Sequence, residues 1–262
     1  MGNMSLTYDR IYLGVSQLVW GYDLSRADRL VQCLDEASEI GYEGVLLFDS
    51  TLPFWYHRSG ELKEMLEQRK LKVAAVILQP SLDFKGTIQL AKFVSEIGGD
   101  RLVISGRDGT QTEWKISLPL LERHGEIANA HGLRANYHHH TGWIAETMEQ
   151  YEQLLADIDR KKLGAMLDCG HATLDFKGHS ALEFYSKHSD IVEYIEFKDY
   201  SPKTDLRTEV GKGTCDFRGI AKALKEHGYK GWIVVEQNGT SGTPKGSSQE
   251  SYRFIREELG LP

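Results

Sequence analysis

Residues 131–142 read His131-Gly132-Leu133-Arg134-Ala135-Asn136-Tyr137-His138-His139-His140-Thr141-Gly142. A glycine follows the end of an apolar helical pattern, a short strand-like run comes next, and three histidines stand where that run ends. Glycine is favoured directly after a helix, because that position often adopts a left-handed backbone conformation. The segment therefore predicts a helix that ends at His131, a strand from Leu133 to His138, and a polar strand end.

The junction of helix end, glycine and strand recurs along the chain. It is found at Ile40-Gly41, Ile97-Gly98-Gly99, His131-Gly132, Leu163-Gly164 and His227-Gly228. Around these junctions, eight strand-like runs alternate with eight helical patterns at a period of about thirty residues, which is the size of a βα unit. The strands are predicted at Ile11–Ser16, Tyr42–Phe48, Leu71–Leu78, Arg101–Ser105, Leu133–His138, Leu163–Leu167, Ile191–Phe197 and Gly231–Val235.

The helical patterns are marked by apolar faces and by capping residues. The first begins at Ser25, and later ones cover residues 60–70, 84–97, 217–227 and 249–259. A longer helix is predicted to begin at Ser117 with Pro119 in its first turn, where proline is tolerated. Thr147 and Gln150 form a capping-box pattern ahead of the next helix.

Regular βα alternation over the whole length favours a closed (β/α)8 barrel, a TIM barrel, as a single α/β domain of residues 1–262. The chain length suits such a barrel. The only low-complexity stretch, Asn238–Ser248, follows the last strand and does not divide the chain. A doubly wound open sheet is the alternative, but no GxGxxG motif follows the first strand.

The composition limits the partners and the compartment. A net charge of −7 argues against binding a nucleic-acid backbone, which needs clustered lysine and arginine. No apolar run is long enough to cross a bilayer, and residues 1–10 lack the apolar core of a secretory signal. Cys33, Cys169 and Cys215 lie far apart without zinc-finger spacing, which favours a reducing cytoplasm. Assembly into a homo-oligomer is left open.

Side-chain alternation along the strands predicts which residues face the barrel interior. The inward set from strands five to eight is Asn136, His138 and His140, then Met166 and Asp168, then Tyr194, Glu196 and Lys198, then Val234 and Glu236. His139 is predicted to face the helices or solvent. Three buried carboxylates at the carboxyl ends of the strands, where barrel active sites lie, predict a divalent cation between them. The structural alternatives are a turn at Asp168 and an ion pair between Glu196 and Lys198.

Five short motifs resemble the xylose isomerase-like TIM barrels, which include sugar isomerases, sugar epimerases and inosose dehydratases. Residues 137–142 with Glu146-Thr147 resemble the YHHHxG segment of inosose dehydratases, and residues 167–171 (LDCGH) are similar to the family's LDTGH. Residues 197–199 correspond to the end of HLKD, residues 211–217 match GxGxxDF, and residues 234–237 match VVEQ. The motifs lie in the family's order and cover almost the whole chain.

The resemblance implies one divalent metal held by Glu, Asp, His and Glu from strands five to eight. Carried over by position, Asp168 and Glu236 are ligands, and Glu196 stands where the family has histidine. Glu146 is the strand-five candidate, with His138 or His140 as alternatives. Such a carboxylate-rich set favours Mn2+ or Mg2+, with Co2+ or Zn2+ as further candidates. The family's strand-two glutamate is absent, and Leu46 stands near its place.

The resemblance further implies a small ketose or keto-polyol as substrate. In the main hypothesis the chain is an isomerase or epimerase that removes a proton next to the carbonyl, giving an enediolate that the metal stabilises. Glu236, His140 and His171 are the candidate bases, and Lys198 is a candidate to bind the substrate or to neutralise Glu196. His138 and Trp20 are candidate substrate contacts, although Trp20 suits core packing equally well.

Three other functions compete with this hypothesis. An inosose dehydratase-like lyase begins with the same proton removal and then expels a β-hydroxyl. A catalytically degenerate sugar-binding or partner subunit is suggested by the replacement of the family histidine at Glu196. A DNA-repair nuclease of the same fold is disfavoured, because an acidic chain lacks the basic groove that such an enzyme needs.

Overall fold

The computed structural model describes residues 6–106 and 114–262. Its strands, numbered along the chain, are β1 (Ile11–Ser16), β2 (Gly44–Phe48), β3 (Lys72–Leu78), β4 (Arg101–Ser105), β5 (Arg134–His138), β6 (Gly164–Asp168), β7 (Val192–Phe197), β8 (Asp199–Ser201), β9 (Asp205–Thr208) and β10 (Gly231–Val235). Eight of them close into a parallel barrel in the order β1-β10-β7-β6-β5-β4-β3-β2, and β8 pairs with β9 in a separate antiparallel hairpin. The predicted (β/α)8 barrel is therefore confirmed, while the hairpin was not predicted.

One helix follows each barrel strand along the chain, except that two helices lie between β6 and β7. The helices are α1 (Ala27–Ile40), α2 (Ser59–Gln68), α3 (Phe84–Glu96), α4 (Trp114–Ala130), α5 (Met148–Asp157), α6 (Cys169–Asp175), α7 (Ala181–His188), α8 (Phe217–Glu226) and α9 (Pro244–Arg253). The capping box predicted ahead of α5 is confirmed. The Thr147 side chain accepts the Gln150 N–H, and the Thr147 N–H donates to Gln150 Oε1.

Three helix starts differ from the prediction. α1 begins at Ala27 rather than Ser25, and the chain is already helical at Trp114, so Pro119 lies inside α4 instead of in its first turn. α9 begins at Pro244, within the stretch assigned to low complexity. α9 starts there because Thr243 caps the helix and Pro244 occupies its first turn. Thr243 Oγ1 accepts the Gly246 N–H at 3.2 Å.

Glycine has two different roles at the predicted junctions. Gly41, Gly98, Gly132 and Gly228 have φ values of 109°, 83°, 77° and 64°, which confirms the left-handed conformation after a helix. The same prediction is wrong for Gly164, which is the first residue of β6 and is not left-handed. A Cβ atom at Gly164 would instead clash with the side chains of Arg134, Asn136 and Glu193.

Two apolar layers surround the barrel strands. The outer layer fills the space between strands and helices. The inner layer fills the barrel and includes Met166, Tyr194 and Val234, which confirms the predicted inward faces of β6, β7 and β10. The barrel is therefore a packed core, and polar side chains are displaced to its two ends.

Charged side chains occupy the amino-terminal end of the barrel. Arg134 makes two hydrogen bonds with Glu193, of 2.6 and 2.8 Å. Arg101 is 1% exposed, bonds to Asn136, and lies 3.9 Å from Glu193. These contacts tie β4, β5 and β7 together at the end opposite the predicted site. In the described part of the chain, no helix is long and apolar enough to cross a membrane.

Candidate active site

Three carboxylates meet at the carboxyl end of the barrel strands. Asp168 is the last residue of β6, Glu196 pairs with it in register from β7, and Glu236 directly follows β10. All three are almost fully buried, with exposures of 0%, 0% and 2%. One oxygen of each lies within 4.8 Å of an oxygen of the other two. The predicted convergence of these side chains therefore occurs.

Asp168 is oriented by the start of α6. Its Oδ1 atom accepts the backbone N–H groups of Gly170 at 2.8 Å and His171 at 3.0 Å, so the side chain caps the helix. The Asp168 backbone N–H donates to His139 Nε2 at 3.1 Å. With Oδ1 occupied by the cap, Oδ2 is the atom that faces the other site residues.

Lys198 places a positive charge among the carboxylates. Its Nζ atom is 3.0 Å from Glu236 Oε1 and 3.8 Å from Asp168 Oδ2. Burial alone would lower the pKa of this ammonium, but Glu236 and Asp168 outweigh burial and raise it. Lys198 is therefore a fixed cation. The predicted pairing with Glu196 is replaced by an observed pairing with Glu236.

His138 bridges two of the carboxylates from the end of β5. Its Nε2 atom is 3.2 Å from Asp168 Oδ2 and 3.3 Å from Glu196 Oε2. Burial lowers its pKa, but Glu196 and Asp168 more than compensate and raise it to about 10. Burial and the nearby Glu236 raise the pKa of Glu196 to about 8. Without a metal, His138 and Glu196 thus hold protons that an isolated side chain would lose.

The donor set fits a divalent metal. Glu196 Oε1 and Glu236 Oε2 are buried, and no described residue gives either of them a hydrogen bond. Unpaired buried carboxylate oxygens are costly unless a cation neutralises them. Asp168, Glu196 and Glu236 supply the hard oxygen donors that Mg2+ and Mn2+ prefer. His138, Asp168 and His171 form a second, overlapping group of possible ligand atoms.

Two further histidines line the same end of the barrel. The ring of His140 stacks on Trp143 with 4.0 Å between centroids, and it lies 3.9 Å from the His171 ring. Burial and the charge of His138 lower the pKa of His140 to about 4. Burial and Lys198 lower the pKa of His171 well below its usual value. Both imidazoles are therefore neutral near pH 7, and each keeps one ring nitrogen as a hydrogen-bond acceptor.

Two predicted site residues are not brought into this cluster. Glu146 is half-buried ahead of α5, and it belongs to neither group of possible ligand atoms found in the described chain. Its assignment as a ligand stays a prediction. Trp20 is 5% exposed in the outer apolar layer, and its indole N–H donates to Glu36 on α1 at 2.6 Å. This placement favours the packing role for Trp20 over a substrate wall.

His139 has a role at the site that the sequence did not reveal. The prediction that it faces away from the cavity is confirmed, since its ring lies between Tyr151 and Phe176, 4.8 and 5.0 Å from their centroids. From there it accepts the Asp168 backbone N–H. Burial lowers the pKa of His139 to about 3, which keeps it neutral for that contact. The residue thus fixes the end of β6.

Comparison with known proteins places the chain among sugar-metabolising barrels. The inosose dehydratase of Geobacillus thermodenitrificans (strain NG80-2) is 26% identical over 301 residues, covering 97% of this chain and 99% of that protein. The inosose dehydratase of Lactiplantibacillus plantarum is 32% identical over 169 residues, covering 57% of this chain and 56% of that protein.

Solved structures of two enzymes share the fold. The D-allulose 3-epimerase of Methylomonas sp. superposes with a TM-score of 0.80 at 18% identity, covering 98% of this chain and 99% of that chain. The probable 3-DHS dehydratase of Bacillus anthracis superposes with a TM-score of 0.79 at 15% identity, covering 94% of this chain and 99% of that chain. A family model described as xylose isomerase-like TIM barrel matches residues 34–258. The chain therefore belongs to the xylose isomerase-like TIM barrel family.

Proposed function

We propose that the chain is a metal-dependent, carbohydrate-modifying enzyme that dehydrates a small keto-polyol of the inosose type. The observation that carries the proposal is the buried cluster of Asp168, Glu196 and Glu236, with the Lys198 ammonium beside Asp168 and Glu236. The similarity to inosose dehydratases over nearly the full length of both chains supports this choice of substrate class. Enzymes of the isomerase, epimerase and dehydratase type on this fold act on small carbohydrates.

The residues divide into proton acceptors and proton donors. Asp168, Glu196 and Glu236 would hold a divalent metal, which would supply a Lewis acid for the substrate carbonyl. His171 Nε2, an unprotonated ring nitrogen 3.3 Å from Lys198 Nζ, and the Glu236 carboxylate are the two groups placed to take the proton next to that carbonyl. His138 Nε2 lies 3.2 Å from Asp168 Oδ2 and 3.3 Å from Glu196 Oε2, and in its protonated form it can give a proton to the departing β-hydroxyl, which leaves as water. Removal of the proton from the carbon next to the carbonyl and cleavage of the bond between the β-carbon and its hydroxyl oxygen together release one water and give the dehydrated ketone.

An isomerase or epimerase, the main hypothesis from the sequence, remains the second candidate. Lys198 Nζ lies 3.0 Å from Glu236 Oε1 and 3.3 Å from His171 Nε2, so two proton acceptors flank one cation. Such a pair can remove a proton on one face of a substrate and return it on the other. The first step is shared with dehydration, and the fate of the β-hydroxyl distinguishes the two reactions.

Product analysis tests the proposal. Protein loaded with Mn2+ is incubated with 2-keto-myo-inositol and, separately, with ketohexoses, and the products are identified by NMR. We expect loss of one water from the keto-inositol. Glu236→Gln should lower kcat by about 10²–10⁴-fold, the usual contribution of a general base. Isomers without dehydration would favour the second candidate, and bound sugar without any product would favour a degenerate subunit.

A further inference from the structure

A threonine hydroxyl links the loop after β5 to α6. Thr141 Oγ1 lies 2.9 Å from His171 Nδ1 and 2.6 Å from Asp175 Oδ2. His171 and Asp175 are four residues apart on α6, so they share one helix face. Their exposures are 1% and 5%, whereas Thr141 itself is exposed. An exposed residue therefore bridges two buried, titratable side chains with its hydroxyl.

The direction of each hydrogen bond follows from its partners. Lys198 Nζ lies 3.3 Å from His171 Nε2, and an ammonium group can only donate, so Nε2 accepts. A neutral imidazole then carries its proton on Nδ1, which donates to Thr141 Oγ1, and the Thr141 hydroxyl donates to Asp175. The Thr141 backbone N–H also points at Nδ1, but at 3.4 Å this contact is longer and weaker than the 2.9 Å contact with the hydroxyl.

We propose that Thr141 and Asp175 are positioning residues that hold His171 in the Nδ1-protonated tautomer, with its Nε2 lone pair turned toward the carboxylate cluster. His171 Nε2 lies 3.3 Å from Lys198 Nζ and 3.9 Å from Asp168 Oδ2, so the lone pair points at the Lys198 ammonium beside the carboxylates. The inference rests on the proposed function, in which His171 accepts the substrate proton. When His171 becomes positively charged, the Asp175 carboxylate stabilises it through the Thr141 hydroxyl.

The tautomer can be measured without turnover. Metal-free protein labelled with ¹⁵N-histidine is studied by two-dimensional NMR, and the His171→Gln variant identifies the His171 signals among those of the ten histidines. We expect a single neutral form with the proton on Nδ1. A proton on Nε2, or a mixture of the two tautomers, would overturn the proposal. This result is independent of whether any substrate is turned over.

The second arm separates positioning from folding. Thr141→Val keeps the side-chain shape and removes the hydroxyl, and we expect kcat to fall about 10–100-fold, as for other residues that orient a reacting histidine, with little change in KM. Thr141→Ser restores the hydroxyl and should restore most of kcat. Thr173→Val is the matched control, because it removes a hydroxyl on α6 that bonds to the Cys169 carbonyl oxygen.

The comparison of these variants decides the role of the hydroxyl. Equal losses of kcat in Thr141→Val and Thr173→Val, or no recovery in Thr141→Ser, would overturn the proposal. A wild-type protein without activity would instead contradict the proposed function, and the NMR experiment would then decide the role of Thr141 alone.

Discussion

Glu196 is the site residue that departs from the ligand pattern implied by the family. That pattern has a carboxylate from the fifth strand and an imidazole from the seventh. Here an imidazole, His138, comes from β5 and meets the carboxylate of Glu196 from β7, with 3.3 Å between Nε2 and Oε2. Relative to the family pattern, the imidazole and the carboxylate are exchanged between β5 and β7, the two strands that flank β6. The cluster therefore still combines one imidazole with three carboxylates.

We expect Glu196→Gln to flatten the pH dependence of stability in the metal-free protein. The folded-state pKa values of His138, about 10, and Glu196, about 8, both lie above their ordinary values of 6.5 and 4.5. A group with a raised pKa stabilises the fold at low pH and loses that contribution as pH rises. Between about pH 7 and pH 10, above the range in which the lowered pKa values of His139 and His140 add stability as pH rises, stability should therefore fall. Glutamine removes one of these titrations and lowers the pKa of His138.

Thermal unfolding midpoints measured across that pH range in the presence of a chelator check this prediction. Glu67→Gln, at an exposed position on α2, is the control and should keep the wild-type slope. Identical slopes for Glu196→Gln and the wild type would contradict the coupling of Glu196 to His138.

At the level of the elements, β6 and α6 carry the site between them. Asp168 ends the strand and caps the helix, and the helix then presents His171 and Asp175 on one face. The other end of β6 begins at Gly164, where the side chains of Arg134 and Glu193 close over the strand. One short βα unit thus connects the polar network at the amino-terminal end of the barrel with the reacting groups at the other end.

Gly164→Ala should destabilise the protein by about 1–3 kcal/mol, the usual cost of forcing an extra carbon into a filled space. The new methyl group would meet Arg134, Glu193 and Asn136 and separate their side chains. Gly60→Ala is the matched control, because apart from its chain neighbours and the backbone of its own helix no described atom lies within 4 Å of its Cβ position on α2. It should be neutral or stabilise by up to about 1 kcal/mol. Equal denaturant midpoints for the two variants would refute the close packing at Gly164.

At the scale of the whole molecule, the periodic features were predictable and the irregular ones were not. The repeat of the βα unit predicts the eight barrel strands. The two-residue alternation of side chains along a strand predicts the inward positions of Asp168, Glu196 and Glu236. The hairpin of β8 and β9 has strands of three and four residues, too short to show alternation. Its polar sequence resembles an ordinary loop.

The contacts within the site depend on tertiary geometry. Lys198, directly after β7, bonds to Glu236, 38 residues away, rather than to the nearby Glu196 on β7. Thr141 contacts Asp175 because the loop after β5 lies against α6. Spacing along the sequence gives the face of a strand, but it does not give the rotamer of a long side chain or the path of a loop.

Metal binding by the purified protein is the most direct test of the proposed metal centre. Calorimetric titration of chelator-treated protein with Mn2+ should show one ion per chain. Glu236→Gln and Glu196→Gln should each weaken binding by at least about tenfold, a loss of about 1.4 kcal/mol, while Glu67→Gln leaves it unchanged. Glu146→Gln in the same titration tests the strand-five assignment. Absence of binding, or binding that is unaffected by Glu196→Gln and Glu236→Gln, would contradict a metal centre built on these carboxylates.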